Sequence, residues 1–198
     1  LFPYPLAGTN GPRSVGVRHY GTWVGQRCSV PQHRGPWGFS GIRAYTALGI
    51  LAKQRPRRTH HEFWRDLPRL LAGDGVVAVG EIGAWRDQLS EWDVFSRQVE
   101  IAKMLGLPII VTPPTDLRVN MTFKMMRRLD DLGFPPSRAV FNHAESRTLE
   151  AILVEGYFAS LTVGAYHLDG RAALELVRAN QKFGQRMMLN SGLREGLA

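Results

Sequence analysis

Cysteine is almost missing from this chain: Cys28 stands alone among 198 residues, which excludes an internal disulfide and a cysteine-rich zinc site. No apolar run approaches the ~18 residues a membrane helix needs. Acidic side chains are absent from the first third. Residues 1–61 carry nine lysines and arginines and no carboxylate before Glu62, whereas the remaining 137 residues hold 16 basic and 17 acidic side chains. The formal net charge of +8 therefore belongs to that first third alone. Lysine is scarce as well, four against 21 arginines, a bias that reads mainly as coding usage and only weakly as phosphate recognition. The rest is ordinary: 44% hydrophobic and 21% charged residues make a globular composition with enough apolar mass for a core. The length fits one domain, yet it is short for a complete eight-stranded β/α barrel, which takes ~250 residues.

Residues 1–41 are punctuated by glycine and proline too often for regular elements, with Trp23, Trp37 and Phe39 interspersed. They read as a basic, acid-free arm or a loop-rich segment, followed by a domain over 42–198. The aromatics lie among Arg27, Arg34 and Arg43 and would either stack on bases or pack in a core or interface. From Tyr45 onward short apolar runs recur: Tyr45–Ile50, Val76–Gly80, Pro108–Val111, Ala139–Phe141, Phe158–Val163 and Met187–Leu189. Several are apolar on consecutive positions, as expected of strands buried on both faces of a parallel sheet. Between them, helices are expected over Glu91–Leu105, closed by Gly106, and over Asn120–Leu132, with Phe123, Met126 and Leu129 on one face. Another should be capped by Ser146 and run to Gly156, and a further one capped by Asp169 and end near Gly184. Strand alternates with helix, which predicts a parallel α/β architecture.

In such folds chemistry gathers at the carboxyl ends of the strands. The second apolar run closes on Glu81, the third on Thr112, the fourth on Asn142-His143-Ala144-Glu145, the fifth near Thr162 and the sixth on Asn190-Ser191. A carboxylate and an imidazole ending two buried strands are donors that suit zinc or manganese. Equally, Glu81 could pair with an arginine such as Arg86, and His143 could be a core imidazole bonded to backbone. His60 and His61 sit in a basic loop, where cationic neighbours lower metal affinity. His19, His33 and His167 have no partner visible in the sequence. The run carrying Lys53, Arg55, Arg57 and Arg58 is either a solvated loop or a polyanion contact.

These same residues carry a family resemblance. Val-Val-Ala-Val-Gly-Glu-Ile-Gly over 76–83 resembles the signature of TatD-like metal-dependent hydrolases of the amidohydrolase superfamily, in which the Glu binds metal. Leu107-Pro108-Ile109-Ile110-Val111 is similar to the family's next strand. Asn142-His143-Ala144-Glu145-Ser146-Arg147-Thr148 resembles its Asp-His-x-x-Glu-Glu-Thr turn, whose His is a ligand. Glu155–Val163 and Gln185–Ser191 are similar to its last-but-one matched strand and its Asn-Ser strand. The resemblance covers about 120 residues in order. It implies a TIM-type β/α barrel, incomplete or completed by a partner, with Glu81 and His143 as candidate metal residues and Thr112, Asn142, Glu145, Asn190, Ser191 and Arg194 lining the site.

The departures bear on activity. The family's next histidine falls on Thr112, a further one near Thr115, and its catalytic Asp near Arg194; no His-x-His pair exists in this chain. Threonine is a poor metal ligand, and an arginine repels a cation. Two expectations follow. One is a metal-dependent hydrolase, holding zinc or manganese if it holds any metal, with reduced or lost activity. The other is a non-catalytic subunit whose basic residues 1–61 dock on a larger assembly, RNA included, with a protein partner or second copy covering open barrel edges. The single cysteine suits the cytoplasm; an acid-free, arginine-bearing amino terminus makes a mitochondrial location the alternative.

Overall fold

A computed structural model describes residues 45–51, 60–164 and 167–191, with backbone only for 60–62 and 191. The expected arm at 1–41, Lys53, Arg55, Arg57, Arg58 and Arg194 lie outside those residues. Six strands form one parallel sheet: β1 Thr46–Leu48, β2 Val76–Ile82, β3 Ile109–Val111, β4 Ala139–Phe141, β5 Phe158–Val163 and β6 Met187–Ser191. Their spatial order is their chain order, β1 to β6. A doubly wound sheet would need a reversal of that order. Without one, right-handed crossovers carry every connecting helix to the same face, and the sheet curls as an incomplete β/α barrel. This is the fold class the sequence predicts.

The helices are α1 His60–Leu71, α2 Leu89–Leu105, α3 Arg118–Asp131, α4 Leu149–Val154 and α5 Gly170–Ala179. Their apolar faces meet the strands in one core. Phe95, Val99 and Ala102 of α2 and Met125 and Leu129 of α3 are fully buried, as are Val79, Ile109, Val111 and Phe141 of the strands. Each of these side chains larger than Ala102 contributes roughly 1.5–3 kcal/mol by leaving water. Phe141 also meets Tyr157 edge-on, ring centroids 5.2 Å apart at 80°. Gln98, completely buried on α2, holds the exit of β1. Its side-chain oxygen accepts from Ile50 N at 2.7 Å, and its amide donates to Ile50 O at 3.0 Å. Gly106 takes φ of 69° after α2, and its N–H returns to the helix's last carbonyls, a left-handed cap that side chains resist.

Four details depart from expectation. His60 and His61, expected in a loop, begin α1, whose Phe63, Trp64, Leu67 and Leu71 are buried at helical spacing. Phe123 is 44% exposed, because the buried face of α3 runs through Met121, Met125, Met126 and Leu129. Ser146 caps nothing: Thr148 precedes α4, and its hydroxyl closes the turn by bonding the backbone N–H and carbonyl of Glu145. The last helix stops at Ala179 and a 3-10 segment, Gln181–Arg186, carries the chain to β6. Asp169 does cap α5, its carboxylate accepting from Ala172 N at 2.8 Å.

Candidate active site

The strand ends form one rim because each closing residue is tied to its neighbour's backbone. Thr112 N donates to Ile82 O at 2.8 Å, Asn142 N to Val111 O at 2.8 Å, Ala144 N to Ser160 O at 3.0 Å and Leu168 N to Thr162 O at 3.1 Å. Glu81 lies where the β2–β3 register slips between Gly80 and Ile82. An extra residue in a ladder turns its side chain out of the regular alternation, and this carboxylate is exposed between buried neighbours. Space is tight on that side. A Cβ on Gly83 would lie 2.4 Å from Thr112 O.

Three of the candidate residues meet directly. The Asn142 amide nitrogen donates to Glu81 Oε1 at 3.2 Å and to Thr112 Oγ1 at 3.2 Å. A carboxylate can only accept, so the amide presents its NH2 end, and both of its hydrogens are used. Asn142 and Thr112 are buried, 8% and 5% exposed. The alternative reading of Glu81, an ion pair with Arg86, is not found among the described residues, and the backbone N–H groups of Trp85 and Arg86 go to Glu91.

His143 follows in sequence, with φ of 56°, a left-handed conformation a histidine rarely adopts without tertiary support. Its Nδ1 lies 2.8 Å from Thr162 Oγ1. With Nδ1 as donor, Nε2 keeps a lone pair; with Thr162 donating, Nε2 carries the proton. The ring stacks on His167, centroids 4.6 Å apart and planes within 5°. Burial first, then the charges of His167 and Arg118, push the imidazole down to about 4, so His143 is neutral at pH 7. Glu145 turns aside to Arg118, at 3.7 Å, and Arg147, at 3.2 Å. Asn190, an exposed residue of β6, donates to Ser160 Oγ at 2.7 Å.

His167 and Arg118 are the residues that sequence reasoning missed. His167 reaches His143 from the loop after β5, and Arg118 from the first turn of α3, links no spacing rule encodes. Thr162 was visible as a strand end, though not as a partner of His143.

The chemistry of this donor set does not fit a divalent cation. Among the described residues no three His, Cys, Asp or Glu side chains come close enough to hold one. Zinc needs at least three protein ligands. Here one position is a threonine, the carboxylate faces an N–H donor, and Arg118 adds its charge beside the imidazole.

Comparison with known proteins agrees with the fold. No protein-family model matches the chain. An uncharacterized metal-dependent hydrolase of Methanocaldococcus jannaschii is 23% identical over 145 residues, 73% of this chain and 57% of that protein. The crystal structure of a TatD-like protein from Archaeoglobus fulgidus superposes with a TM-score of 0.62 at 30% identity, over 76% of this chain and 58% of that one. A phosphotriesterase homology protein from Escherichia coli, complexed with phosphate, has a TM-score of 0.63 at 17% identity, over 76% and 58%, which speaks to fold alone. The fold is thus that of an incomplete β/α barrel of the kind TatD-like proteins have. Within that class the chain is TatD-like, a relative of the metal-dependent hydrolases. It spans 57% and 58% of the length of the first two of these relatives. No helix among the described residues is long and apolar enough to cross a membrane.

Proposed function

We propose that this chain is a TatD-like metal-dependent hydrolase relative whose metal-dependent activity is reduced or lost. The observation that carries the reading is the amide of Asn142 on the carboxylate of Glu81, 3.2 Å apart. It takes up one of only two candidate ligands with a donor instead of a cation. A mouth whose carboxylate is bonded to an amide in place of a cation can neither polarise a scissile bond through a metal nor lower the pKa of a bound water. Neutral His143 would be the remaining proton acceptor. Its depressed basicity makes it a weak general base, because efficient bases titrate near the working pH. Metal content and hydrolysis test this together. The purified chain should carry well under one equivalent of zinc or manganese and should not accelerate hydrolysis of phosphodiester, phosphotriester or amide model substrates on metal addition. One or two equivalents, lost on Glu81→Gln together with a measurable rate, would overturn the reading.

A binding role is the second reading, favoured by the charge distribution. Nine basic residues and no acid before Glu62 suit a polyanionic partner such as RNA, and β1 and β6 each pair on one side only among the described residues, which suits a protein partner or a second copy. Binding to a generic RNA should weaken steeply with salt and vanish on deleting residues 1–41 and replacing Lys53, Arg55, Arg57 and Arg58 by glutamine, which leaves β1 in place; salt-indifferent binding would remove that partner.

A further inference from the structure

We propose that Asn142 is the residue that keeps a divalent cation out of this mouth, its amide holding Glu81 and Thr112 together in the space a cation would share with them. The inference rests on the reading that the mouth holds no metal, and it assigns the cause to one atom. A cation needs lone pairs aimed at it, and the nitrogen end of a carboxamide presents only hydrogens. Both of those hydrogens are committed, to Glu81 Oε1 and Thr112 Oγ1, each at 3.2 Å. The residue has little freedom to turn. Its backbone N–H is bonded to Val111 O at 2.8 Å, and its side chain is sealed between strand ends at 8% exposure. Flipping the amide would set its carbonyl oxygen against the carboxylate, two acceptors face to face, and leave both N–H groups without these partners. The amide thus stands in for the positive charge that a carboxylate at this place otherwise attracts.

The surroundings act in the same direction. His143 is the next residue, and its Nδ1 is engaged with Thr162. The guanidinium of Arg118, 14% exposed, lies 3.7 Å from Glu145, so a fixed positive charge already stands at the turn that follows Asn142. Replacing one NH2 by an oxygen reverses the sign of the central group without changing its size. Asn142→Asp would set two carboxylates about as far apart as the present hydrogen bond, with an imidazole on the next residue, His143. Carboxylate oxygen and imidazole nitrogen are the donor types that suit zinc or manganese. Without a cation the same change puts like charges together and weakens the fold.

The test uses the full 198-residue chain stripped with chelator, as parent, Asn142→Asp and Asn142→Ala. Each is titrated with manganese chloride and zinc chloride by calorimetry and followed by thermal unfolding. The parent should give only weak heat that does not saturate, which sets a lower bound on its Kd, and an unmoved Tm. Asn142→Asp should melt below the parent in chelator, recover with metal as the logarithm of its concentration, and bind about one equivalent roughly 100-fold more tightly than the parent. Adding His143→Ala should undo most of that gain. Asn142→Ala, which only removes the donors, should bind about tenfold more tightly than the parent, and it decides the matter if the aspartate variant does not fold. A folded Asn142→Asp, or failing it Asn142→Ala, with no more affinity than a metal-free parent overturns this inference and leaves the proposed loss of metal intact. A parent that itself takes one equivalent through Glu81 overturns both.

Discussion

The layer between strands and helices and the rim at the strand ends are built on the same six strands, yet they have different standards of fit. In the layer every position answers to its neighbours. Phe95, Phe141, Val79, Ile109 and Leu129 have no exposure left, so a change of one methylene is felt there. On the rim, Thr112 and Asn142 stand where the family resemblance places a histidine and an aspartate, and the backbone beneath them is a paired parallel ladder, slipped by one residue only at Glu81. The sheet is fixed by shape and by main-chain hydrogen bonds, neither of which reads rim chemistry. A rim can therefore change its donors while its scaffold stays a TatD-like barrel, and likeness of fold is a poor guide to whether the chemistry is present.

If that contrast is right, the largest losses of stability come from the layer. Phe141→Ala empties a site sealed on all sides and removes the edge-on contact with Tyr157; it should cost about 4 kcal/mol in urea unfolding. A loss under 1 kcal/mol would mean the layer is loosely packed and the contrast false. Gly83→Ala comes next and joins the two regions, because its Cβ would meet Thr112 O at 2.4 Å. The clash is with backbone, so β2 and β3 must part; about 3 kcal/mol is expected, with the Asn142–Thr112 bond disturbed as well. An unchanged unfolding midpoint would show the strand ends to be pliable.

Sequence reading follows the same division. Ala139–Phe141 and Phe158–Val163 are strands with the expected bounds, since consecutive apolar residues between turn signals leave few alternatives. α2 and α3 begin within two residues of expectation because their periodicity and their closing glycines agree. α1 was obscured by the basic residues before it, although Phe63, Trp64, Leu67 and Leu71 carry the helical period. Ser146 misled as a cap because Thr148, two positions on, competes successfully for the same turn. On the rim, a residue closing an apolar run is legible as a strand end, but its partner is not. Nothing in the spacing of His167 or Arg118 reveals that both approach His143, since that depends on where loops return across the barrel mouth.

A smaller effect should appear as a pH dependence carried by the rim. The imidazole of His143 is pushed down to about 4 in the folded chain by burial, with help from His167 and Arg118, against an ordinary 6.5 when unfolded. Between those values the unfolded chain binds more protons. Stability should therefore fall as pH drops from 6.5 to 4, by about 2 kcal/mol, and the group's contribution to the slope should fade out within about one pH unit above 6.5. Urea midpoints of the parent and His143→Asn across that window measure it. Equal slopes in the two proteins would mean that the imidazole is not desolvated at the mouth.

The smallest effect is the most discriminating. Glu81→Gln removes the charge of the family's signature carboxylate but keeps an acceptor oxygen for the Asn142 amide. In a barrel whose carboxylate holds a metal, that change would lower thermal stability and metal content together, because metal binding contributes to folding free energy. Here the carboxylate is exposed and its partner is a neutral N–H donor. The loss is confined to the difference between a charged and a neutral acceptor, about 1 kcal/mol or less, with metal content unchanged. A drop of several kcal/mol that added manganese reverses would place a cation on Glu81, and the rim would then be as tightly specified as the layer beneath it.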